Sequence, residues 1–321
     1  MDYFKLTSGT NEIDRRFDRV IRKLLPALPL SRIYSAIRNG HITVNNKKTA
    51  GSYRLKPKDI ISIPHHFMGG NVSKSPERNT RKYLISVLFE NSHLLAINKP
   101  KGVLVHGENS ILPSVHEYLN FTPSEIQVFA PGPLHRIDRN TSGIVFFGKT
   151  APGARLFSGN LKEGKLDKYY LAVLEGSLRG EQTLVQTLTR SHSQRKTIPV
   201  QGPRGKPAKM NIVPILKQKD KTLVLIKLIT GITHQIRSQC EALGYPLFGD
   251  KKYGGTPWKT GYFLHSYCIV FPPEKTIFPE KPVTAPLSRK EIETVSTILG
   301  TDNLQRFLLL ADNYIARKTS H

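Results

Sequence analysis

The chain has 321 residues, enough for one large and one small folded unit with ample core. Its composition, 38% hydrophobic and 22% charged, is that of a globular protein, and no apolar run approaches the roughly 18 residues of a membrane span. The balance of 48 Lys+Arg against 24 Asp+Glu, net +24, favours a polyanionic partner such as nucleic acid; a basic protein that merely adheres to RNA would show the same excess. No long basic amphipathic helix supports a membrane-surface role. Cys240 and Cys268 lack CxxC or zinc-ligand spacing and read as interior residues in a reducing cytosol. Met1-Asp2-Tyr3-Phe4-Lys5 has no signal-peptide h-region, so a cytoplasmic protein is expected.

Residues 14–63 form a compact unit. Phe17, Val20, Ile21, Leu24 and Leu25 recur at helical spacing before Pro26. Ser31 then caps a second helix, in which Ile33, Tyr34 and Ile37 share a face and Gly40 supplies the stop. A strand over 42–44, a turn over 45–48 and a strand ending at Ile63 follow. Arg32, Arg38, Lys47 and Lys48 fall on or near the second helix and its turn, where they can grip phosphates. The stretch resembles the ribosomal-protein S-four type of RNA-binding domain through Arg16-Phe17-Asp18, Ser31-Arg32, Ile37-Arg38-Asn39-Gly40, Val44-Asn45 and Asp59-Ile60. It departs at Lys58, where that family usually has glycine. The expected organisation is an S-four-like domain over 1–66, a flexible linker over 67–82, a second domain over 83–311 and a basic tail over 312–321, with the first domain free to move against the second.

From Tyr83 the pattern turns to strands. Residues 87–89 and 94–97 flank a Glu90-Asn91-Ser92 turn and predict a hairpin. Asn98-Lys99-Pro100-Lys101-Gly102 follows, in which Lys99 reads equally as a solvated or a functional side chain. Next comes Leu134-His135-Arg136-Ile137-Asp138-Arg139-Asn140-Thr141-Ser142-Gly143, a polar loop leading into the apolar run 144–147. On its own this loop reads as an aspartate in an Asx-turn, or as a carboxylate kept ionised by Arg136 and Arg139. Thr150 then caps a helix through about Lys162. In the strand 168–173, alternation puts Tyr170 and Ala172 on one face and Tyr169 and Leu171 on the other. Residues 176–220 are polar and turn-rich, either a projecting basic hairpin or arm that embraces RNA or a solvated loop region. A strand over 223–226 precedes Gly231-Ile232-Thr233-His234-Gln235-Ile236-Arg237, which opens a helix to Leu243. One or two helices close the chain over 287–310, with disorder expected beyond Arg317-Lys318.

His135-Arg136-Ile137-Asp138 with Thr141-Ser142-Gly143 closely resembles the active-site motif of the RluA/RluC-type pseudouridine synthases. Four further stretches resemble that family in the same order. They are Asn98-Lys99-Pro100-Lys101-Gly102 with Val105-His106-Gly107, Lys168-Tyr169-Tyr170-Leu171-Ala172, Gly231 to Arg237, and Gly249 to Gly254 with Phe263-Leu264-His265-Ser266. The Val-His-Gly stretch is most like the RluC branch. Two positions depart: Ile232 stands where the motif has arginine, and Ser238-Gln239 where Val-His is usual. The resemblance implies an α+β protein whose catalytic domain is a mixed, largely antiparallel sheet with flanking helices. It implies isomerisation of uridine to pseudouridine without a metal, nucleotide or redox cofactor. Asp138 is then the catalytic residue, as nucleophile toward the sugar or as base on a glycal route. Tyr170, otherwise an ordinary core tyrosine, stacks on the extruded base and aids proton transfer. Arg237 pairs bidentately with Asp138 and fixes it. His135, Arg136, Thr141 and Leu264 support the site, Leu264 as an apolar wall, while Lys99, Arg139 and His234 join the four basic residues of the first domain in holding RNA.

The implied substrate is large-subunit, 23S-type ribosomal RNA, handled by a monomer. The competing readings are a non-catalytic rRNA-binding or ribosome-assembly factor on the same scaffold, and a related synthase acting on tRNA. A metal-dependent nuclease using His135, Asp138, His192 and His234 is disfavoured, because these residues form no recognisable ligand cluster.

Overall fold

The computed structural model describes residues 2–68, 81–121, 128–191, 193–202, 204–273 and 277–319. The small N-terminal unit contains β1 (Tyr3–Thr7), α1 (Phe17–Leu24), α2 (Leu30–Arg38), β2 (Thr43–Val44) and β3 (Ile60–Pro64). Its sheet runs β1-β3-β2, all antiparallel. The helical stripe of Phe17, Val20, Ile21 and Leu24 meets Ile33, Ile37, Ile61 and Ile63 in a buried core. Strand β1 is not expected from the sequence; it is short and its alternating side chains are mostly exposed. Helix α2 begins at Leu30 behind Pro29, so Ser31 lies inside its first turn and does not cap it, and Tyr34 is exposed where Ile33 and Ile37 are buried. Lys58 takes a left-handed φ of +66°, so the turn keeps a backbone that glycine favours despite the substitution.

The larger unit has β4 (Val87–Glu90), β5 (Leu94–Lys99), α3 (Leu112–Tyr118), β6 (Gly132–Pro133), β7 (Ser142–Gly148), α4 (Ala151–Lys162), β8 (Asp167–Glu175), β9 (Gln182–Ser191), β10 (Lys196–Val200), β11 (Lys206–Gln218), β12 (Lys221–Leu228), α5 (Gln235–Ala242), β13 (Leu264–Val270), β14 (Val283–Thr284), α6 (Arg289–Leu299) and α7 (Thr301–Thr319). Eleven strands make one sheet ordered β10-β9-β11-β12-β8-β13-β7-β5-β4, with β6 beside β7 and β14 beside β13. Among the described strands of this sheet only the β7–β13 pair is parallel, through Ser142 opposite His265 and Gly143 opposite Ser266. The mixed, largely antiparallel α+β architecture expected from the sequence is therefore present.

Strand alternation divides the core as anticipated. Tyr170, Ala172 and Leu174 enter one cluster with Val145, Ile226 and Leu264, whereas Tyr169, Leu171 and Val173 enter another with Phe307 and Ile315. Residues 176–220, read as a hairpin or arm or as a loop region, are mainly the strands β9, β10 and β11; β9 and β10 pair antiparallel, and β11 joins β9 to the main sheet. The segment set apart as a basic tail is also different. Helix α7 runs unbroken to Thr319, because Ile315 is buried in the second cluster and Asp312 accepts a 2.5 Å hydrogen bond from the Tyr267 hydroxyl.

Most of the segment read as a linker lies outside the described residues. Its ends are anchored: Phe67 and Met68 pack on the small unit's core, and Lys82 pairs with Glu117. The two units also touch, since Asn11 Oδ1 accepts from the Ala151 amide at 2.9 Å and Arg15 donates to the Val128 carbonyl at 3.0 Å. Both cysteines are free and buried. Among the described residues no helix is long and apolar enough to cross a membrane.

Candidate active site

The loop 134–141 enters the sheet through β7, and its exit is fixed by packing. Gly143 has φ +103°, and a Cβ there would overlap the Ser266 carbonyl oxygen on β13, so this register of the parallel pair requires glycine. Ser142 Oγ lies 2.9 Å from His265 Nδ1 and donates to Glu291, which also forms the capping box of α6 with Ser288. One carboxylate thus ties the catalytic-loop exit, β13 and α6 together. Its multiple hydrogen bonds outweigh burial and hold Glu291 down at about 2.

On the loop's other side, Lys99 is completely buried. Its ammonium donates to the Pro100 and Val103 carbonyls at 2.8 Å each and to the Arg139 carbonyl at 3.3 Å. Lys99 therefore clamps the backbone next to Asp138 and cannot reach RNA, contrary to the role expected for it. A lysine in an Asn-Lys-Pro turn is usually solvated; here three converging carbonyls replace water. Burial lowers it to about 7. Arg139 is exposed and donates through Nε to the Gly102 carbonyl at 2.9 Å.

Asp138, Tyr170, Arg237 and Leu264 meet at one cavity of about 470 Å³, with His135, Arg136, Thr141 and His234 also in its wall. Arg237 Nη1 and His234 Nε2 each stand 3.8 Å from Asp138 Oδ2. The bidentate partner of Arg237 is not Asp138 but Asp250, which accepts from Nε at 2.6 Å and from Nη2 at 2.8 Å. Asp250 is buried on the inner side of the guanidinium and occupies its paired edge, which leaves only Nη1 for Asp138. Tyr253 and Tyr262 cover the guanidinium at 4.6 and 4.5 Å, so the cation is immobilised before any substrate arrives.

Burial raises the Asp138 carboxyl above its ordinary value, while Arg237, Arg136 and Lys99 pull it back. The expectation that flanking cations dominate is corrected on this point, because Arg136 and Arg139 project into solvent. Burial also drives the Tyr170 phenol up to about 12, with Ser266 opposing it, so Tyr170 is a neutral hydroxyl at physiological pH. His135 accepts from the Phe146 amide at 3.1 Å and is lowered to about 3 by burial, so it supports the loop as a neutral ring. His234 sits in a left-handed φ of +59°, contacts the Tyr253 hydroxyl through Nδ1 at 2.9 Å and is lowered to about 4, mainly by burial. It lies beside the carboxylate instead of on an outer RNA-facing surface. Arg32, Arg38, Lys47 and Lys48 are all exposed on the small unit, and Arg38 and Lys48 border a cavity there with Tyr34 and Gly51. Among the described residues no group of three or more His, Cys, Asp or Glu could hold a metal ion.

The family of RNA pseudouridylate synthases matches residues 93–242, and the S4 domain matches residues 15–61. The ribosomal large subunit pseudouridine synthase C of Vibrio vulnificus is 30% identical over 302 residues, covering 89% of this chain and 93% of its own. The chain belongs to the RluA family of RNA pseudouridine synthases. A synthase C from Buchnera aphidicola subsp. Schizaphis graminum is 34% identical over 250 residues, covering 75% of this chain and 78% of its own. The solved structure of human RNA pseudouridylate synthase domain containing 4 shares the fold, with TM-score 0.54 and 20% identity over 65% of this chain and 91% of that one. This chain is thus an enzyme of that class with an RNA-binding S4 domain. The Arg237 cage of Asp250, Tyr253 and Tyr262 is not evident from motif resemblance alone; its signal in the sequence is a carboxylate and two tyrosines ahead of Leu264.

Proposed function

We propose that this synthase converts specific uridines of large-subunit, 23S-type ribosomal RNA to pseudouridine. In this reading Asp138 acts on the ribose, Tyr170 on the base and Arg237 on the carboxylate. The observation that carries the proposal is the convergence of these three side chains and Leu264 on a single cavity. The reaction breaks the bond from C1′ to N1, turns the uracil in place, joins C1′ to C5 and moves the C5 proton to solvent while N1 gains one. Atoms and electrons balance within the substrate, so the chemistry calls for no oxidant, reductant or co-substrate.

Asp138 acts as nucleophile at the sugar or as the base that opens a glycal route; both use an ionised carboxylate with Arg237 Nη1 close by. Tyr170 presents its ring to the extruded base and its neutral hydroxyl to the proton transfer. The cavity is lined by Leu161, Leu228 and Leu264 as well as polar groups, which suits an unstacked base taken from a loop or distorted helix. On the small unit, Arg32, Arg38, Lys47 and Lys48 bind phosphates and set the register of the RNA. The enzyme works as a monomer in the cytoplasm, where ribosomal RNA is found. Support for the ribosomal target comes from the similar bacterial proteins, which are ribosomal large subunit pseudouridine synthases.

The test is a map of pseudouridines in rRNA and tRNA from cells that lack the gene and from cells complemented with wild type or Asp138→Asn. Large-subunit rRNA positions should vanish without the gene and return only with wild type. Loss confined to tRNA would reassign the substrate; restoration by Asp138→Asn would leave the protein as a binding or assembly factor.

A further inference from the structure

We propose that Lys168 binds a backbone phosphate of the RNA strand that carries the target uridine; this rests on the cavity being the uridine site. Lys168 lies on β8 two residues before Tyr170 and lines the same cavity. It is only 8% exposed, and among the described residues its ammonium makes no ion pair or hydrogen bond. A methyl placed on Gly231 would stand 3.7 Å from Lys168 Nζ, which puts the ammonium against the cavity wall formed by the 229–232 segment.

Among the described residues no carboxylate pairs with Lys168. His135, the neighbour that feels the Lys168 charge, is a neutral ring. Asp138 is the one carboxylate in the cavity wall, and the charges acting on it are Arg237, Arg136, Asp250 and Lys99. Its stem is buried while its ammonium borders the cavity, so among the described residues no protein group competes with an incoming phosphate for it. Burial accordingly lowers its pKa. Arg136 and Lys162 are exposed members of the same wall, so a strand entering there meets two solvated cations first and the buried one last. That order fits a polyanion threading its phosphates inward. A uracil carbonyl could also accept from Lys168, but a neutral acceptor would not answer the uncompensated charge.

The full-length protein, Lys168→Met and Lys168→Arg are compared in pseudouridine formation on in-vitro transcribed large-subunit rRNA over a series of KCl concentrations. Lys168→Met should raise KM about tenfold with kcat nearly unchanged, the loss expected for one charge-assisted contact. Its slope of log KM against log salt should fall by about 0.7 to 0.9, the contribution of one neutralised phosphate. Lys168→Arg should keep the wild-type slope. An unchanged slope with raised KM would assign the contact to a base carbonyl and overturn the phosphate. An unchanged KM with a lowered melting temperature would make Lys168 structural. If wild type forms no pseudouridine on this RNA, the parent reading fails instead; the salt slope of RNA binding, measured by filter retention for wild type and Lys168→Met, still decides the phosphate contact.

Discussion

At the scale of single residues, the site is a carboxylate pulled between opposing neighbours. Asp138 is raised by burial and by Asp250, and lowered by Arg237, Arg136 and Lys99. Activity that needs the carboxylate grows as pH rises through this raised value and is lost below it. Lys99→Met removes a cation, so the acid limb of kcat/KM should move to higher pH. Asp250→Asn removes an anion, so the limb should move to lower pH, although Arg237 then loses its paired acceptor and activity falls. The pH–rate profiles of the two variants check this, since a general loss of structure would not shift the limb in opposite directions. The motif residues Asp138, Tyr170, Arg237 and Leu264 were legible in the sequence because each sits in a stretch that resembles the family. The use of Arg237's paired edge by Asp250 was not legible. Spacing along the chain names a cation near a carboxylate, but the choice between two carboxylates is made by three-dimensional packing.

At the scale of elements, hydrophobic period identified what it could reach. The alternation in β8 and the apolar runs of β5, β7 and β12 sort their side chains into buried clusters as read. Strand β9 reads equally as hairpin or loop, because its side chains are mostly half-exposed, with little apolar alternation. Helix α7 was cut short because Arg317 and Lys318 look like a solvated end, yet Ile315 and Asp312 hold it to the sheet. The Glu291 link between α6 and β7 has a consequence for acid stability. Its folded value of about 2 lies below the ordinary 4.5, so its contribution is fully present above 4.5 and is lost as pH falls toward 2. The difference corresponds to about 3 kcal/mol, at about 1.4 kcal/mol per pH unit. Glu291→Gln should therefore lower unfolding free energy in urea by about 3 kcal/mol at neutral pH, with the gap to wild type closing as pH falls below 4.5. A constant gap across that range would mean the carboxylate's charge contributes nothing.

At the scale of the whole molecule, a net charge of +24 sets the binding regime. Phosphate neutralisation makes RNA affinity fall steeply with salt. Arg32, Arg38, Lys47 and Lys48 are exposed and lie outside the small unit's buried cluster, so replacing all four by alanine should leave the fold intact. The slope of log affinity against log salt should then fall by about 3, with kcat at saturating RNA retained. Filter binding over a KCl series measures the slope, and an unchanged value would remove the small unit from the RNA interface. The order of the two units was readable from composition and motif. Their contacts through Asn11, Arg15 and Val128 were not, because single hydrogen bonds across more than a hundred residues leave no pattern in sequence.

The central claim is that one buried carboxylate performs the isomerisation. Single-turnover pseudouridine formation on large-subunit rRNA, with wild type and Asp138→Asn at equal RNA occupancy, tests it most directly. The asparagine variant should bind the RNA as tightly as wild type and react slower by about four orders of magnitude. Pseudouridine formed by Asp138→Asn at the wild-type rate would contradict the account.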